Sequence, residues 1–314
     1  MCTAIHLCTE GLLGRTLDYE RSFGEGVVFT PRERMPVGKA KNRYAMLGIG
    51  VIKGEYSLYF DGLNEWGLSG AALNFPGYAV YKSTPESKEG VPSALLMSYA
   101  LGLCRDVGEV REMLANISIC SSYAIGIQDS SLHWIFADKN GAITIEATER
   151  GLEVWDNPYG VMTNSPDLSY HKTRLADYMH LHSGYPENYP SQTHLECYSR
   201  GMAAVGLPGD FSSSSRFVRA AFIRQNTISS DGANSAVLKM KSILSALSVP
   251  LGCVFSREGE AVSTRYFSVM DSENLVYYFS SYQSFGLRGV RLCPEDRELK
   301  TYPVYQDDKV KMLN

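Results

Sequence analysis

The chain has 314 residues, of which 44% are hydrophobic and 20% are charged, and its 30 Lys and Arg against 34 Asp and Glu give a formal net charge of −4. This composition excludes an intrinsically disordered chain, which combines low hydrophobicity with high net charge. The mildly acidic balance disfavours a nucleic-acid-binding protein, which needs a basic surface, and no apolar run reaches the roughly 18 residues of a membrane-spanning helix.

The first third of the chain is predicted to form β-strands. Residues that favour strands dominate four short segments, at 2–8, 45–51, 56–60 and 67–73. The third segment is followed by Asp61-Gly62, a dipeptide typical of turns. We therefore expect that strand to end at residue 60 and a turn to follow it.

Two helices and a second block of strands come next. Apolar residues at helical spacing predict helices over 92–102 and 106–116, and Asp106 is the expected N-cap of the second. Short strands are then predicted at 123–128, 132–137, 142–147 and 152–155. Asn140-Gly141 separates two of these strands and is typical of a β-hairpin turn.

The remaining elements indicate the fold class. Helices are predicted at 167–181, 213–226 and 234–248, and strands at 264–270, 274–280 and 285–292. Strands joined by short turns pair antiparallel, and helices that come in blocks are typical of the α+β class. We predict antiparallel sheets covered by helices, in a single domain spanning 1–314. The loosest segments are 184–192 and 212–215, and the serines of the second can cap the helix that follows.

The cysteines suggest a reducing compartment. The seven are Cys2, Cys8, Cys104, Cys120, Cys197, Cys253 and Cys293. Their number is odd, no two form a C-x-x-C pair, and their spacing suits neither a zinc site nor a disulfide framework. The N-terminus also lacks the charged and long apolar regions of a signal peptide. We therefore expect a cytoplasmic protein without metal or cofactor, in which six cysteines are reduced, mostly buried thiols.

Cys2 is the exception because of its position. Initiator methionine is commonly removed when the second residue is small, and removal would leave Cys2 with a thiol and a free α-amino group. Reference pKa values are about 8.5 for the thiol and about 7.7–8.0 for the amine. An amine in that range can act as a general base near neutral pH, so one residue would supply both nucleophile and base. On position alone, an inert cysteine at the start of a strand remains the alternative.

A Cys–His pair is the competing mechanism, and the spacing disfavours it. His6 lies on the same strand face as Cys2, but four residues of strand separate them by about 13 Å. No spacing marks another histidine as a base; the others are His133, His171, His180, His182 and His194. We expect His171, His180 and His182 to lie around a surface helix. A histidine metal site is therefore disfavoured.

Several blocks, in order through most of the chain, resemble one known family. They are Met1-Cys2-Thr3, Gly14-Arg15-Thr16-Leu17-Asp18-Tyr19, Asn64-Glu65, Leu73-Asn74-Phe75-Pro76-Gly77-Tyr78-Ala79, Leu132-His133-Trp134, Met162-Thr163-Asn164-Ser165-Pro166, Gly206-Leu207-Pro208-Gly209-Asp210 and Ser215-Arg216-Phe217-Val218-Arg219. Together they resemble the bile salt hydrolases (choloylglycine hydrolases), sisters of the penicillin V acylases among the N-terminal nucleophile hydrolases. The resemblance implies a four-layer αββα sandwich of two antiparallel sheets covered by helices.

The resemblance also implies roles for six residues. Cys2 would be the nucleophile with its amine as base, Arg15 would favour the thiolate, Asp18 would orient the amine, Asn164 and the backbone of Asn74 would form the oxyanion hole, and Arg216 would support the charge network. Arg216 is preferred over Arg219 because the family arginine precedes a Phe-Val pair. From the residues alone, structural roles remain open as alternatives. They are a surface ion pair of Arg15 with Asp18, a turn at Asn74, a helix cap at Asn164 and a solvated helix position for Arg216.

The chain departs from the family pattern near its N-terminus. Arg15 lies slightly closer to Cys2 than in familiar members, which predicts a shorter first hairpin. Arg15 and Asp18 are three residues apart and cannot share a face of one regular strand. A turn or bulge near Asp18 is therefore expected.

The implied reaction is hydrolysis of the amide between a bile acid and glycine or taurine. Asn at position 74 favours bile salts, because penicillin V acylases tend to carry Tyr there; a penicillin V acylase or related N-acyl amide hydrolase is the alternative. A chain that retained Met1 could instead be a non-catalytic ligand-binding relative. The substrate rim is expected at 19–25, 54–60 and 120–131. The family further implies a bacterial cytoplasmic homotetramer.

Overall fold

The structure is a computed structural model. It describes residues 1–38, 40–83, 88–122, 126–186, 195–228, 233–284 and 286–306. Parts of three predicted segments (123–125, 187–192 and Phe285) and His194 lie outside the described residues.

Strands dominate the described part of the chain. In chain order they are β1 Cys2–Leu7, β2 Leu12–Tyr19, β3 Gly26–Thr30, β4 Pro36–Val37, β5 Ala40–Lys41, β6 Met46–Lys53, β7 Tyr56–Asn64, β8 Ser69–Asn74, β9 Glu89–Pro92, β10 Ile117–Cys120, β11 Leu132–Asp138, β12 Gly141–Thr148, β13 Gly151–Asp156, β14 Val161–Met162, β15 Val254–Phe255, β16 Ala261–Asp271, β17 Val276–Ser281, β18 Arg288–Arg291 and β19 Lys300–Pro303. The helices are α1 Leu96–Leu103, α2 Val107–Asn116, α3 Leu168–Ala176, α4 Ser213–Asn226 and α5 Ala233–Ser245. None of the helices in the described ranges is long and apolar enough to span a membrane.

Two large antiparallel sheets carry the fold. The seven-stranded sheet has the order β14-β1-β2-β16-β17-β18, with β15 paired to β16, and the eight-stranded sheet has the order β13-β12-β11-β8-β7-β6-β3-β19. Two small sheets pair β4 with β5 and β9 with β10. Most neighbours in each large sheet are joined by short connections, as antiparallel pairing allows.

Three apolar cores separate four layers. Helices α1 and α2 pack on the outer face of the eight-stranded sheet, with Leu101 and Trp134 in that core. The inner faces of the two sheets meet around Cys2 and Tyr266. Helices α3, α4 and α5 cover the outer face of the seven-stranded sheet, in a core that includes Phe217. The predicted α+β class and the four-layer αββα sandwich are confirmed.

Local sequence patterns predict several of these elements correctly. Helix α4 begins and ends as predicted, and Ser212 caps it by accepting a hydrogen bond from the Ser215 amide at 3.4 Å. Asp106 caps α2 by accepting from the Glu109 amide at 2.9 Å. The hairpin predicted at Asn140-Gly141 forms between β11 and β12, and Gly141 is the first residue of β12. The described residues of the predicted strand at 123–128 do not form one.

The predicted turn at Asp61-Gly62 is wrong, because β7 continues through it to Asn64. Gly62 lies against the neighbouring strand β6, where an added Cβ would meet the Leu47 carbonyl oxygen at 2.7 Å. The pairing with β6 shifts register here, since Asp61 faces Ile49 whereas Tyr59 faces Gly50. The glycine therefore permits close strand approach next to a β-bulge rather than a turn.

The first hairpin brings the N-terminus into the seven-stranded sheet. Residues 8–11 join β1 to β2, and Gly11 adopts the left-handed conformation with φ +60°. Strand β2 itself is continuous, so Arg15 and Asp18 point to opposite faces. The bulge expected near Asp18 lies in the adjacent strand β16, between Thr264 and Tyr266.

Candidate active site

The β1–β2 register places Cys2 and Arg15 on one face of the sheet. Cys2 pairs with Leu17 and Ala4 pairs with Arg15, so the two side chains are neighbours on the inner face. Both residues are buried, at 1% exposure each. Arg15 Nη2 donates to Cys2 Sγ at 3.2 Å. A guanidinium in contact with a thiol favours the thiolate.

The pKa of the Cys2 thiol is lowered by its surroundings. Burial alone raises this pKa, but the charge of Arg15, the nearby N-terminal ammonium and the hydrogen bond from Arg15 outweigh burial and the opposing charge of Asp18. Cys104 is the contrasting case, since burial without a comparable cation raises its pKa to about 12. The environment of Cys2 therefore favours ionisation of its thiol. The expectation that the other six cysteines are mostly buried is wrong for half of them, since the exposed ones are Cys197, Cys253 and Cys293.

Asp61 holds the other end of the Arg15 guanidinium. Arg15 Nη1 donates to Asp61 Oδ2 at 2.9 Å and to the Phe60 carbonyl at 3.0 Å. Asp61 is fully buried on β7 of the opposite sheet. This residue could not be predicted from the sequence, because the dipeptide Asp61-Gly62 is typical of a turn and only the packing of the two sheets brings Asp61 to Arg15.

Asn164 and Arg216 lie against the backbone of Cys2. The Cys2 amide donates to Asn164 Oδ1 at 2.8 Å, and Arg216 Nη2 donates to the same oxygen at 2.7 Å. Arg216 Nη1 also donates to Thr3 Oγ1 at 2.7 Å and to the Cys2 carbonyl. Asn164 Nδ2 donates to the Asn74 carbonyl at 2.7 Å. Two donors on Oδ1 determine the amide orientation, so Nδ2 must face Asn74.

Asp18 adjoins the N-terminus through its backbone. The Asp18 amide donates to the Met1 carbonyl at 2.8 Å, and the Met1 ammonium donates to the Asp18 carbonyl. The Asp18 carboxylate is buried and accepts from Thr264 Oγ1 at 2.6 Å and from Thr16 Oγ1 at 3.3 Å. The five other residues predicted from the sequence therefore all contact Cys2, Met1 or Asn164.

The prediction of a surface position for His171 is wrong. His171 is buried on α3, its ring stacks on Phe217 at 4.7 Å, and its Nε2 donates to the Asn164 carbonyl at 2.9 Å. Burial lowers its pKa to about 4, so the ring is neutral at pH 7. His180 and His182 are exposed, as expected. His171 therefore supports the Asn164 segment as a neutral donor.

A family model for linear amide C–N hydrolases, choloylglycine hydrolase family, matches residues 2–305. The chain belongs to this family. The bile salt hydrolase/transferase of Lactiplantibacillus plantarum is 36% identical over the full length of both chains, and the bile salt hydrolase/transferase of Clostridium perfringens is 34% identical over the same extent.

Solved structures support the same assignment. A mutant conjugated bile acid hydrolase from Clostridium perfringens superposes on this choloylglycine hydrolase family member with a TM-score of 0.91, at 33% identity and full coverage of both chains. The penicillin V acylase of Agrobacterium tumefaciens superposes with a TM-score of 0.76 at 21% identity, covering 96% of this chain and 90% of its own. The second likeness shows a shared fold. The chain has the N-terminal nucleophile hydrolase fold and is an amide hydrolase by family.

A cleft of about 650 Å³ opens beside the candidate active site. Its lining includes Tyr19 and Asn74. Apolar side chains of Val51, Leu58 and Phe60 also contribute. Residues from all three segments predicted for the substrate rim line this cleft. Charged side chains line the cleft as well, namely those of Arg21, Lys53 and Asp129. A cleft that combines apolar with polar groups suits a large amphipathic ligand.

Proposed function

We propose that this protein hydrolyses the amide bond of glycine- or taurine-conjugated bile salts through a thioester on Cys2. The observation that carries the proposal is the buried Cys2 thiol, adjacent to the N-terminus and 3.2 Å from the Arg15 guanidinium, in a chain of this family. The names of the full-length relatives support the substrate class, since both are bile salt hydrolase/transferases.

The reaction begins once Met1 has been removed and Cys2 carries a free α-amine. The thiol attacks the substrate carbonyl carbon while its proton passes to that amine, which acts as general base. Arg15 supports the attack by stabilising negative charge on Sγ. The Asp18 carbonyl accepts from the Met1 ammonium in the unprocessed chain, and we assign to Asp18 the role of orienting the Cys2 amine after processing.

The tetrahedral intermediate carries an oxyanion, which we assign to Asn164 Nδ2 and the backbone N–H of Asn74. Arg216 and the Cys2 amide both donate to Asn164 Oδ1, which directs Nδ2 toward Asn74, the other residue assigned to the oxyanion hole. The ammonium of Cys2 then gives its proton to the leaving nitrogen, the C–N bond breaks, and glycine or taurine departs. Water, activated by the same amine, attacks the thioester, and the bile acid is released with the thiol restored.

Asn164→Ala is expected to lower kcat by about 10²–10³, the typical cost of removing one oxyanion-hole donor. Steady-state kinetics on glycocholate would measure it. Asn164→Asp keeps an oxygen for Arg216 but removes the amide hydrogens, so it should lose kcat to a similar degree. Asn157→Ala is the control: Asn157 is a buried Asn that bonds Thr144 Oγ1 and the Val161 carbonyl, and its loss should affect stability rather than kcat. A kcat near wild type for both Asn164 variants would remove Asn164 from the oxyanion hole.

Turnover of glycocholate, taurocholate and penicillin V, compared on one preparation by the released amine, tests the substrate class. We expect clear preference for a bile salt, because position 74 is Asn and the full-length relatives are bile salt hydrolase/transferases. Preference for penicillin V would retain the fold and nucleophile but overturn the substrate assignment.

A single domain over 1–314, a homotetramer and a bacterial cytoplasmic location remain predictions. Light scattering on the purified protein would test the tetramer.

A further inference from the structure

Asp61 is a buried carboxylate whose two oxygens are both used. Oδ2 accepts from Arg15 Nη1 at 2.9 Å and from Tyr266 OH at 2.7 Å. Oδ1 accepts from Ser268 Oγ at 2.8 Å and from Tyr277 OH. Burial raises the pKa of both tyrosines well above the ordinary value, so both remain neutral donors.

These bonds connect the two sheets at the site. Asp61 lies on β7 of the eight-stranded sheet, whereas Ser268 and Tyr277 lie on β16 and β17 of the seven-stranded sheet. Arg15 is held at each of its nitrogens: Nη1 by Asp61 and Phe60, Nε by the Thr16 carbonyl at 3.4 Å, and Nη2 by Cys2 Sγ. A buried ion pair is costly unless its remaining hydrogen-bonding groups are satisfied, and here four donors satisfy the carboxylate.

We propose that Asp61 is a positioning residue, which fixes the plane of the Arg15 guanidinium so that Nη2 meets Cys2 Sγ. It acts through Arg15 and does not touch the thiol. Ser268 and Tyr277 hold Oδ1 and so orient the carboxylate. The proposal rests on the proposed function only in taking Cys2 as the nucleophile.

A positioning role of Asp61 and a counter-charge role of Asp61 predict opposite changes in the pKa of the Cys2 thiol. Removing the negative charge of Asp61 while Arg15 stays in place would make the site more positive and lower the pKa of Cys2. Releasing Arg15 from its place would remove the hydrogen bond and weaken the Coulomb attraction, and would raise that pKa. The sign of the change therefore distinguishes a positioning residue from a simple counter-charge.

The test is the rate of Cys2 alkylation by iodoacetamide against pH, read at the N-terminal peptide by mass spectrometry. Asp61→Ala, which removes both charge and hold, is expected to raise the thiol pKa by about one unit and slow alkylation about tenfold below that pKa. It should lower kcat with little change in KM. In Asp61→Asn the side chain can still offer an amide oxygen to Arg15 Nη1. The pKa of the Cys2 thiol in this variant should therefore stay near the wild-type value or fall.

Asp271→Asn is the matched control. Asp271 is also buried, but it is the last residue of β16 and accepts from the Asn274 amide at 2.8 Å. Its loss should change stability and leave the thiol pKa unaltered. A merely structural role for Asp61 would give the same result as this control.

A second variant keeps the test decisive if Asp61→Ala does not fold. The double variant Ser268→Ala/Tyr277→Phe retains the Arg15–Asp61 pair but removes both hydroxyls on Oδ1. It should shift the thiol pKa upward by a smaller amount and lower kcat. Unchanged alkylation profiles and kcat in the folded variants, or a lowered pKa in Asp61→Ala, would overturn the proposal. Alkylation needs no substrate, so failure of the enzyme on bile salts would be seen separately.

Discussion

Cys2→Ser is expected to lose at least about a thousandfold in kcat while keeping the fold, as removal of a catalytic nucleophile does in other hydrolases. Serine is nearly isosteric with cysteine, so the inner core around position 2 should pack as before. Its hydroxyl has a far higher pKa than a thiol, and the Arg15 guanidinium that favours a thiolate cannot produce an alkoxide at neutral pH. Serine is also small, so removal of Met1 should proceed in the variant and does not confound the comparison.

The measurement is kcat on glycocholate together with a thermal unfolding curve. Cys8→Ser is the control, because Cys8 follows the same strand and its Sγ contacts only the Lys139 carbonyl at 3.5 Å among the hydrogen bonds described. It should keep wild-type turnover. If Cys2→Ser retained near-wild-type turnover, Cys2 would not be the nucleophile, and the family assignment would stand without this mechanism.

An extension before Cys2 is expected to leave the enzyme latent, with activity reduced by about 10²–10⁴, the usual contribution of a general base. With any residue attached, the Cys2 nitrogen is a peptide N–H that donates to Asn164 Oδ1 at 2.8 Å and cannot accept a proton. The extension also occupies the space beside Asp18 that Met1 takes in the structure.

The effect of the extension is best measured on a single polypeptide. A protease-cleavable extension ending directly before Cys2 would be assayed before and after cleavage, with intact mass confirming each state. The same tag at the C-terminus serves as the control for tag effects. Activity should appear on cleavage alone. Full activity with the extension or with Met1 still attached would contradict the amine-base mechanism and leave the thiol with another base.

The elements whose signals are local were predictable from the sequence. The N-caps of α4 and α2 are side chains that bond an amide in the first turn of their own helix. The hairpin of β11 and β12 depends on two adjacent residues. Cys2 was predicted from its position after Met1, whereas the αββα sandwich and the five other candidate residues were predicted from ordered blocks that resemble a family. Each block is short, but their order along the chain is specific.

Features that depend on distant pairing were decided by the tertiary structure. Asp61-Gly62 has the composition of a turn, yet strand pairing and the close approach of Leu47 keep it within β7. His171 has no local mark of burial, but the packing of α3 against Phe217 encloses it. The site's ion pair joins residues 46 positions apart on two different sheets. Spacing along the chain carries no information about such a contact, because the register of each strand and the packing of the two sheets together determine which side chains meet.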